Sequence, residues 1–203
     1  MHEETLAVPT QKLFQKLTEC PWLANFYLAG GTALALQLGH RTSVDLDFFT
    51  EKPFVEDAII ANLAKIGKLE ILTKDRQSVI GILDDVKFSF LGYPYPLLKS
   101  PLSFLGTQIA SVEDVACMKL DALASRGTKR DFIDLYCIAK HLPLIDLLAL
   151  FQEKYASVHY NLLHIKKSLV YFEDAEGDPL PDMRVPIEWK EVKEFFEREA
   201  VGL

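Results

Sequence analysis

Between Val44 and Phe48 the chain alternates apolar and acidic residues: Val44, Asp45, Leu46, Asp47, Phe48. A period of two is that of a strand with one dry face, so both aspartates emerge on the same side, with Cα atoms about 6.6 Å apart. Strands are poor in aspartate, and two like charges side by side cost stability unless a cation or hydrogen-bond donors compensate. Two readings follow. Either the pair collects a hard cation such as Mg²⁺, which commonly takes one or two carboxylates plus substrate phosphates, or it is the wet face of an edge strand.

What precedes this strand narrows the choice. Phe26-Tyr27-Leu28-Ala29 is a short apolar run that stops at Gly30-Gly31, and Thr32 to Leu38 then holds good helix formers up to Gly39. Strand, tight turn and helix are predicted in that order. Glycines at the turn let backbone amides come close to a ligand, and a helix N-terminus favours an anion such as phosphate. Arg41, Thr42 and Ser43 join the two pieces, where a guanidinium can neutralise a phosphate or pair with Asp45 or Asp47.

The rest of the chain reads as α+β. A helix is predicted around Leu13, Phe14 and Leu17, another from Val55 to Ile66, and β-stretches at 69–73, 78–83 and 86–91, with a hairpin turn at Asp84-Asp85. That makes a mixed sheet of about five strands. After the proline-dense stretch from Tyr93 to Pro101 the composition turns helical, and a boundary is expected near residue 106, giving an α/β part, 1–105, and a helical part, 106–203. Ser111 and Thr128 are the expected N-caps of helices running to about Ser125 and His141. Further helices are expected at 144–155, 160–172 and 188–200, with a proline-rich loop at 173–186.

Lys119 and Arg126 are two helical turns apart and form a basic strip, which Lys129 and Arg130 extend across Gly127. A solvated helix face gives the same pattern. Asp131 is placed to serve the Thr128 cap, whereas Asp134 lies one turn further on and is the preferred functional acid.

The run GGTALALQLGHRTSVDLDFF resembles the first motif of the AbiEii-type nucleotidyltransferases, a branch of the polymerase-β-like superfamily that supplies the toxins of type IV toxin–antitoxin pairs. The run SVEDVACMKLDALASRGTKRDFIDLY resembles the same family's second block, in the family's order. The resemblance implies a minimal nucleotidyltransferase fold followed by a helical part. It places Gly30, Gly31 and Thr32 at the triphosphate and Asp45 and Asp47 on Mg²⁺ or Mn²⁺. Lys119 would face the phosphates, with Asp134 or Asp131 completing the site, and Arg41, Ser43, Arg126 and Lys129 would line it. The implied reaction moves a nucleoside monophosphate from a nucleoside triphosphate to an acceptor, notably the end of a transfer RNA, and a cognate antitoxin protein is the implied partner.

One position departs from the superfamily's pattern. Many members carry a third carboxylate on a neighbouring strand, but the strand Val86-Lys87-Phe88-Ser89-Phe90 offers Ser89 there. A serine holds metal poorly and makes a weak base. The alternative is therefore a nucleotide- or partner-binding protein of the same fold with weakened catalysis, and transfer to a protein or small molecule is a rival within the class.

Several classes are disfavoured. With 22 Lys and Arg against 29 Asp and Glu the formal charge is −7, so a DNA-binding module is not expected and any RNA would need a local basic patch. No apolar run approaches the roughly 20 residues of a membrane span, and Met1-His2-Glu3-Glu4 lacks a signal peptide's basic start, so a cytoplasmic protein is expected. Cys20, Cys117 and Cys137 are far apart and read as core residues, and the five histidines lack a zinc spacing. Tyr93 and Tyr95 can stack a base or simply pack.

Overall fold

The computed structural model describes residues 1–203. Helix α1, Val8–Thr18, leads through a turn of 3₁₀ helix into β1, Tyr27–Leu28, which breaks at Ala29 into α2, Gly30–Leu38. Strand β2, Leu46–Thr50, and helix α3, Glu56–Leu63, follow. Next come β3, Leu69–Asp75, β4, Ser78–Leu83, and β5, Val86–Gly92. The turn between β4 and β5 places Asp84 and Asp85 both at positive φ, 48° and 65°, as a two-residue hairpin of twisted strands requires.

The sheet has seven strands, in the order β3-β4-β5-β2-β1, then β7 and β6, where β6 is Leu102–Phe104 and β7 is Thr107–Ile109. The five strands expected from sequence are all present, and the short β6–β7 hairpin adds two. Strand β2 lies near the centre, antiparallel to β1 and parallel to β5, and β7 pairs in parallel with β1. The expected division at 105/106 falls on the turn of the β6–β7 hairpin, so β7 stays with the sheet and the helical part starts at Val112.

Five of the remaining elements are helices of seven residues or more: α4, Val112–Ser125; α5, Lys129–Ala139; α6, Leu144–Lys154; α7, Leu162–Ser168; and, beyond a single turn α8, Glu173–Glu176, the final α9, Trp189–Ala200. Ser111 and Thr128 cap α4 and α5, their side chains accepting from the amides of Asp114 and Asp131. Helix α7 is shorter than the expected 160–172, because Asn161 caps it and its chain leaves the helix after Ser168.

A single apolar core of 45 buried residues joins sheet and helices. The dry face of β2 supplies Leu46 and Phe48, both fully buried, and Phe48 stacks on Phe90 of β5 at 5.0 Å between ring centroids. Burying that face turns Asp45, Asp47 and Phe49 to the other side, toward the helical part. No helix is long and apolar enough to cross a membrane.

Candidate active site

A cleft of about 350 Å³ lies where α4 and α5 face the central strands. Its lining includes Gly30, Gly31, Thr32, Arg41, Ser43, Asp45, Asp47, Lys119 and Arg126, brought together from both sequence blocks.

The acidic pair is fixed by its surroundings. The amide of Ala29 donates to the carbonyl of Asp47 at 2.9 Å, tying the end of β1 to β2 where α2 begins. Gly30 has φ +65°, and a Cβ there would stand 3.0 Å from Asp47 Oδ2, so the turn and the carboxylate are in close approach. Thr32 donates its hydroxyl to the carbonyl of Asp45 and contacts Ser43 Oγ at 2.7 Å. That hydroxyl holds the Ser43–Asp45 segment in place. Burial, then the charge of Asp47, push the Asp45 carboxyl above its ordinary value, against the opposing pull of Arg130, whose Nη1 lies 3.8 Å from Asp45 Oδ2.

Across the cleft stands a network of buried charges. Arg41 is 4% exposed and grips Asp134 with two bonds, Nε to Oδ1 at 2.7 Å and Nη2 to Oδ2 at 2.9 Å. Lys119 Nζ reaches Asp131 Oδ1 at 2.8 Å and Asp134 Oδ2 at 2.7 Å. His40 Nε2 adds a third contact to Asp134 at 2.8 Å. Burial alone would raise Asp134, but the charges of Lys119 and Arg41 and their hydrogen bonds outweigh it and hold the carboxyl well below its ordinary value. Asp131 is lowered in the same way, chiefly by Lys119.

Two of the expected residues lie outside the cleft. Asp134 is fully buried behind it, its carboxylate held by Arg41, Lys119 and His40, while Asp131 reaches the lining. Lys129 is 6% exposed because the segment after α7 folds over it, and its ammonium donates to the carbonyls of Glu176 and Asp178. Arg130 takes the place beside Arg126 on the cleft wall.

Ser89 pairs in register with Asp47 across β2 and β5 and donates to its Oδ1 at 2.6 Å. The position facing the acidic pair is thus neutral, and no group of three or more acidic, histidine or cysteine side chains is arranged to hold a metal ion. The donor set still suits a hard divalent cation whose remaining ligands come from phosphate oxygens: two carboxylates, one of them reluctant to ionise beside the other.

Sequence reasoning passed over Lys87, Met118 and Asp121, which also line the cleft. Lys87 is two residues from Ser89 on β5, so the period of two carries its signal. Asp121 and Met118 share the α4 face with Ala122, at spacings of three and four. Asp121 is exposed at the rim, yet desolvation against the wall raises its carboxyl.

The chain is similar to known proteins in sequence and in fold. The family model described as "Nucleotidyl transferase AbiEii toxin, Type IV TA system" matches residues 11–86 and 81–200. The uncharacterized protein aq_aa25 of Aquifex aeolicus is 45% identical over 182 residues, covering 87% of this chain and 86% of that protein. Among solved structures, JHP933 from Helicobacter pylori superposes with a TM-score of 0.57 at 20% identity, covering 98% of this chain and 89% of that one. MenT4, a nucleotidyltransferase toxin from Mycobacterium tuberculosis, gives 0.57 at 16% identity, covering 100% of this chain and 88% of the other. These structural likenesses show a shared fold, and the family match spanning most of the sequence shows more: the chain belongs to the AbiEii nucleotidyltransferase toxin family.

Proposed function

We propose that this nucleotidyltransferase moves a nucleoside monophosphate from a nucleoside triphosphate to RNA, at the acceptor end of a transfer RNA, as the toxin of a type IV pair with a cognate antitoxin. The observation that carries the reading is the convergence of Asp45 and Asp47 on the Gly30-Gly31 turn, with the Arg41 guanidinium against Gly31 and Lys119 in the same lining. The first amides of α2 and the Arg41 and Lys119 cations are suited to bind phosphate oxygens. Asp45 and Asp47 would hold Mg²⁺ or Mn²⁺, whose charge would stabilise the departing pyrophosphate.

The acceptor hydroxyl forms the new bond to the α-phosphorus as the bond from that phosphorus to the α,β-bridging oxygen breaks, pyrophosphate leaving and the hydroxyl proton passing to solvent. Arg126, Arg130 and Lys87 on the cleft wall give a chain of charge −7 the local basic patch that an RNA end needs. One observation favours the second reading, a nucleotide-binding protein with weakened catalysis: Ser89 stands where a base would, and its hydroxyl is already donated to Asp47.

The test is incubation with each α-labelled nucleoside triphosphate, Mg²⁺ and total RNA. Label should enter the transfer RNA fraction with the wild type and not with Asp45→Asn. Nucleotide binding without label transfer to any acceptor would favour the second reading.

A further inference from the structure

The cleft changes character along its strands. Asp45, Asp47 and Phe49 follow one another on one face of β2 at steps of about 6.6 Å. In the neighbouring strand the register sets Ser89 beside Asp47 and Leu91 beside Phe49. Tyr93 continues past β5 and meets Phe49 edge-on, 5.6 Å between centroids. One end of the cleft therefore holds the acidic pair beside the glycine turn and the Arg41 and Lys119 cations, and the other is apolar and aromatic.

Helix α4 repeats the gradient across its width. At 3.6 residues per turn, Met118 and Ala122 stand at the middle of the stripe facing the cleft, Lys119 and Arg126 on one flank, and Asp121 on the other. Lys119 is tied to the charge network, so the Asp121 flank is the aromatic one.

Of the four carboxylates lining the cleft, three have partners. Asp45 faces Arg130, Asp47 accepts from Ser89, and Asp131 pairs with Lys119. Asp121 has neither an ion pair nor a hydrogen bond in the structure, although it borders a surface that otherwise offers rings and methyl groups.

Building on the nucleotide-site reading above, we propose that Asp121 is a specificity-determining residue that accepts a hydrogen bond from the exocyclic amino group of the incoming base. An ionised carboxylate only accepts. Adenine, cytosine and guanine each present an amino group on the pairing edge. Uracil presents two carbonyls flanking a single ring N–H, and a carboxylate there meets oxygen with oxygen. The site thus selects for amino-bearing bases and against uracil, with Phe49 and Tyr93 in the same lining.

The experiment is calorimetry of the four α,β-methylene nucleoside triphosphates, and of inorganic tripolyphosphate, with Mg²⁺, on the wild type and Asp121→Asn. The wild type should bind the adenine, cytosine and guanine compounds about tenfold or more tightly than the uracil one, the worth of one charged hydrogen bond. In Asp121→Asn the new amide can donate to a uracil carbonyl, so that gap should shrink to about threefold or less, while tripolyphosphate binds both proteins equally. Equal binding of all four by the wild type, or an unchanged ratio in Asp121→Asn with tripolyphosphate still bound, would overturn the role of Asp121. Failure of the wild type to bind any of the five would instead overturn the nucleotide-site reading on which the role rests.

Discussion

Ser89 Oγ donates to Asp47 Oδ1 at 2.6 Å, across paired strands in which a carboxylate at that position would meet the acidic pair directly. The bond supplies the donor that Asp47 otherwise lacks from its own strand, and it lets two aspartates sit on one strand face without a third charge. Its cost falls on metal affinity, since two carboxylates form a thin shell for a divalent cation.

Metal should therefore bind weakly to the free protein and firmly once phosphates complete the shell. Calorimetry with Mn²⁺ should show little heat for the protein alone and clear binding with a non-hydrolysable triphosphate. Ser89→Asp should strengthen binding to the free protein by tenfold or more. If that variant binds no better, Ser89 does not face the cation, and Asp131 becomes the next carboxylate to test.

Gly31 is a position where even one methyl group is too large. A Cβ there would stand 2.1 Å from Arg41 Nη2, and Arg41 cannot swing aside without breaking its two bonds to Asp134. Overpacking of this kind costs about 1–3 kcal/mol, so Gly31→Ala should lower the melting temperature by about 2–12 °C. Displacing the guanidinium should also weaken tripolyphosphate binding several-fold. Unchanged binding would show that Arg41 does not serve the phosphates.

Where the sequence was legible, the signal was local. The Asp45–Asp47 face, the glycine turn, the Asp84-Asp85 hairpin and the Ser111 and Thr128 caps each follow from residues within one turn or one strand. Strands β6 and β7 were missed because three residues carry no periodicity, and because their turn pairs Gly106 at φ +80° with Leu105 at φ +48°, a residue type that rarely adopts that conformation. Asp134 and Lys129 lie outside the cleft lining for another reason. Their partners come from far along the chain: Arg41 is 93 residues from Asp134, and the carbonyls that hold Lys129 are 47 and 49 residues away. A charged residue on a helix reads as wet until something distant covers it.

The buried network sets the acid side of the stability profile. Asp131 and Asp134 have folded-state values below their ordinary ones, so the native state binds fewer protons than the unfolded chain, and their stabilisation is present above the ordinary carboxylate range. It is lost as pH falls through and below that range. Asp45 and Asp121 are raised and act in the opposite sense, offsetting part of the loss. Thermal melts should thus be nearly flat from about pH 8 to 5 and fall steeply below about pH 4. In Asp134→Asn the low-pH limb should be shallower, and an identical limb would remove Asp134 from the account.

Toxicity supplies a cellular readout of the same chemistry. Expression in bacteria should slow growth, and Asp45→Asn should relieve this at equal protein level. Equal arrest by both proteins would rule out carboxylate-dependent transfer as its cause.

Asp45 and Asp134 should separate chemistry from architecture. Asp45 borders the cleft, and its ionised form is disfavoured by burial and by Asp47, so Asp45→Asn should abolish label transfer while leaving the melting temperature unchanged or slightly raised. Asp134 is fully buried between Arg41, Lys119 and His40, and Asp134→Asn leaves the Arg41 and Lys119 cations short of an anion at nearly constant volume. Breaking a buried pair this way costs about 3–5 kcal/mol, which for a chain of this size lowers the melting temperature by about 6–20 °C. Both variants should lose transfer, but only Asp134→Asn should lose it together with stability. Tripolyphosphate binding distinguishes them again: it should weaken in Asp134→Asn, where Arg41 and Lys119 are no longer held. An Asp134→Asn protein that melts like the wild type yet transfers nothing would overturn the positioning role and return Asp134 to the chemistry itself.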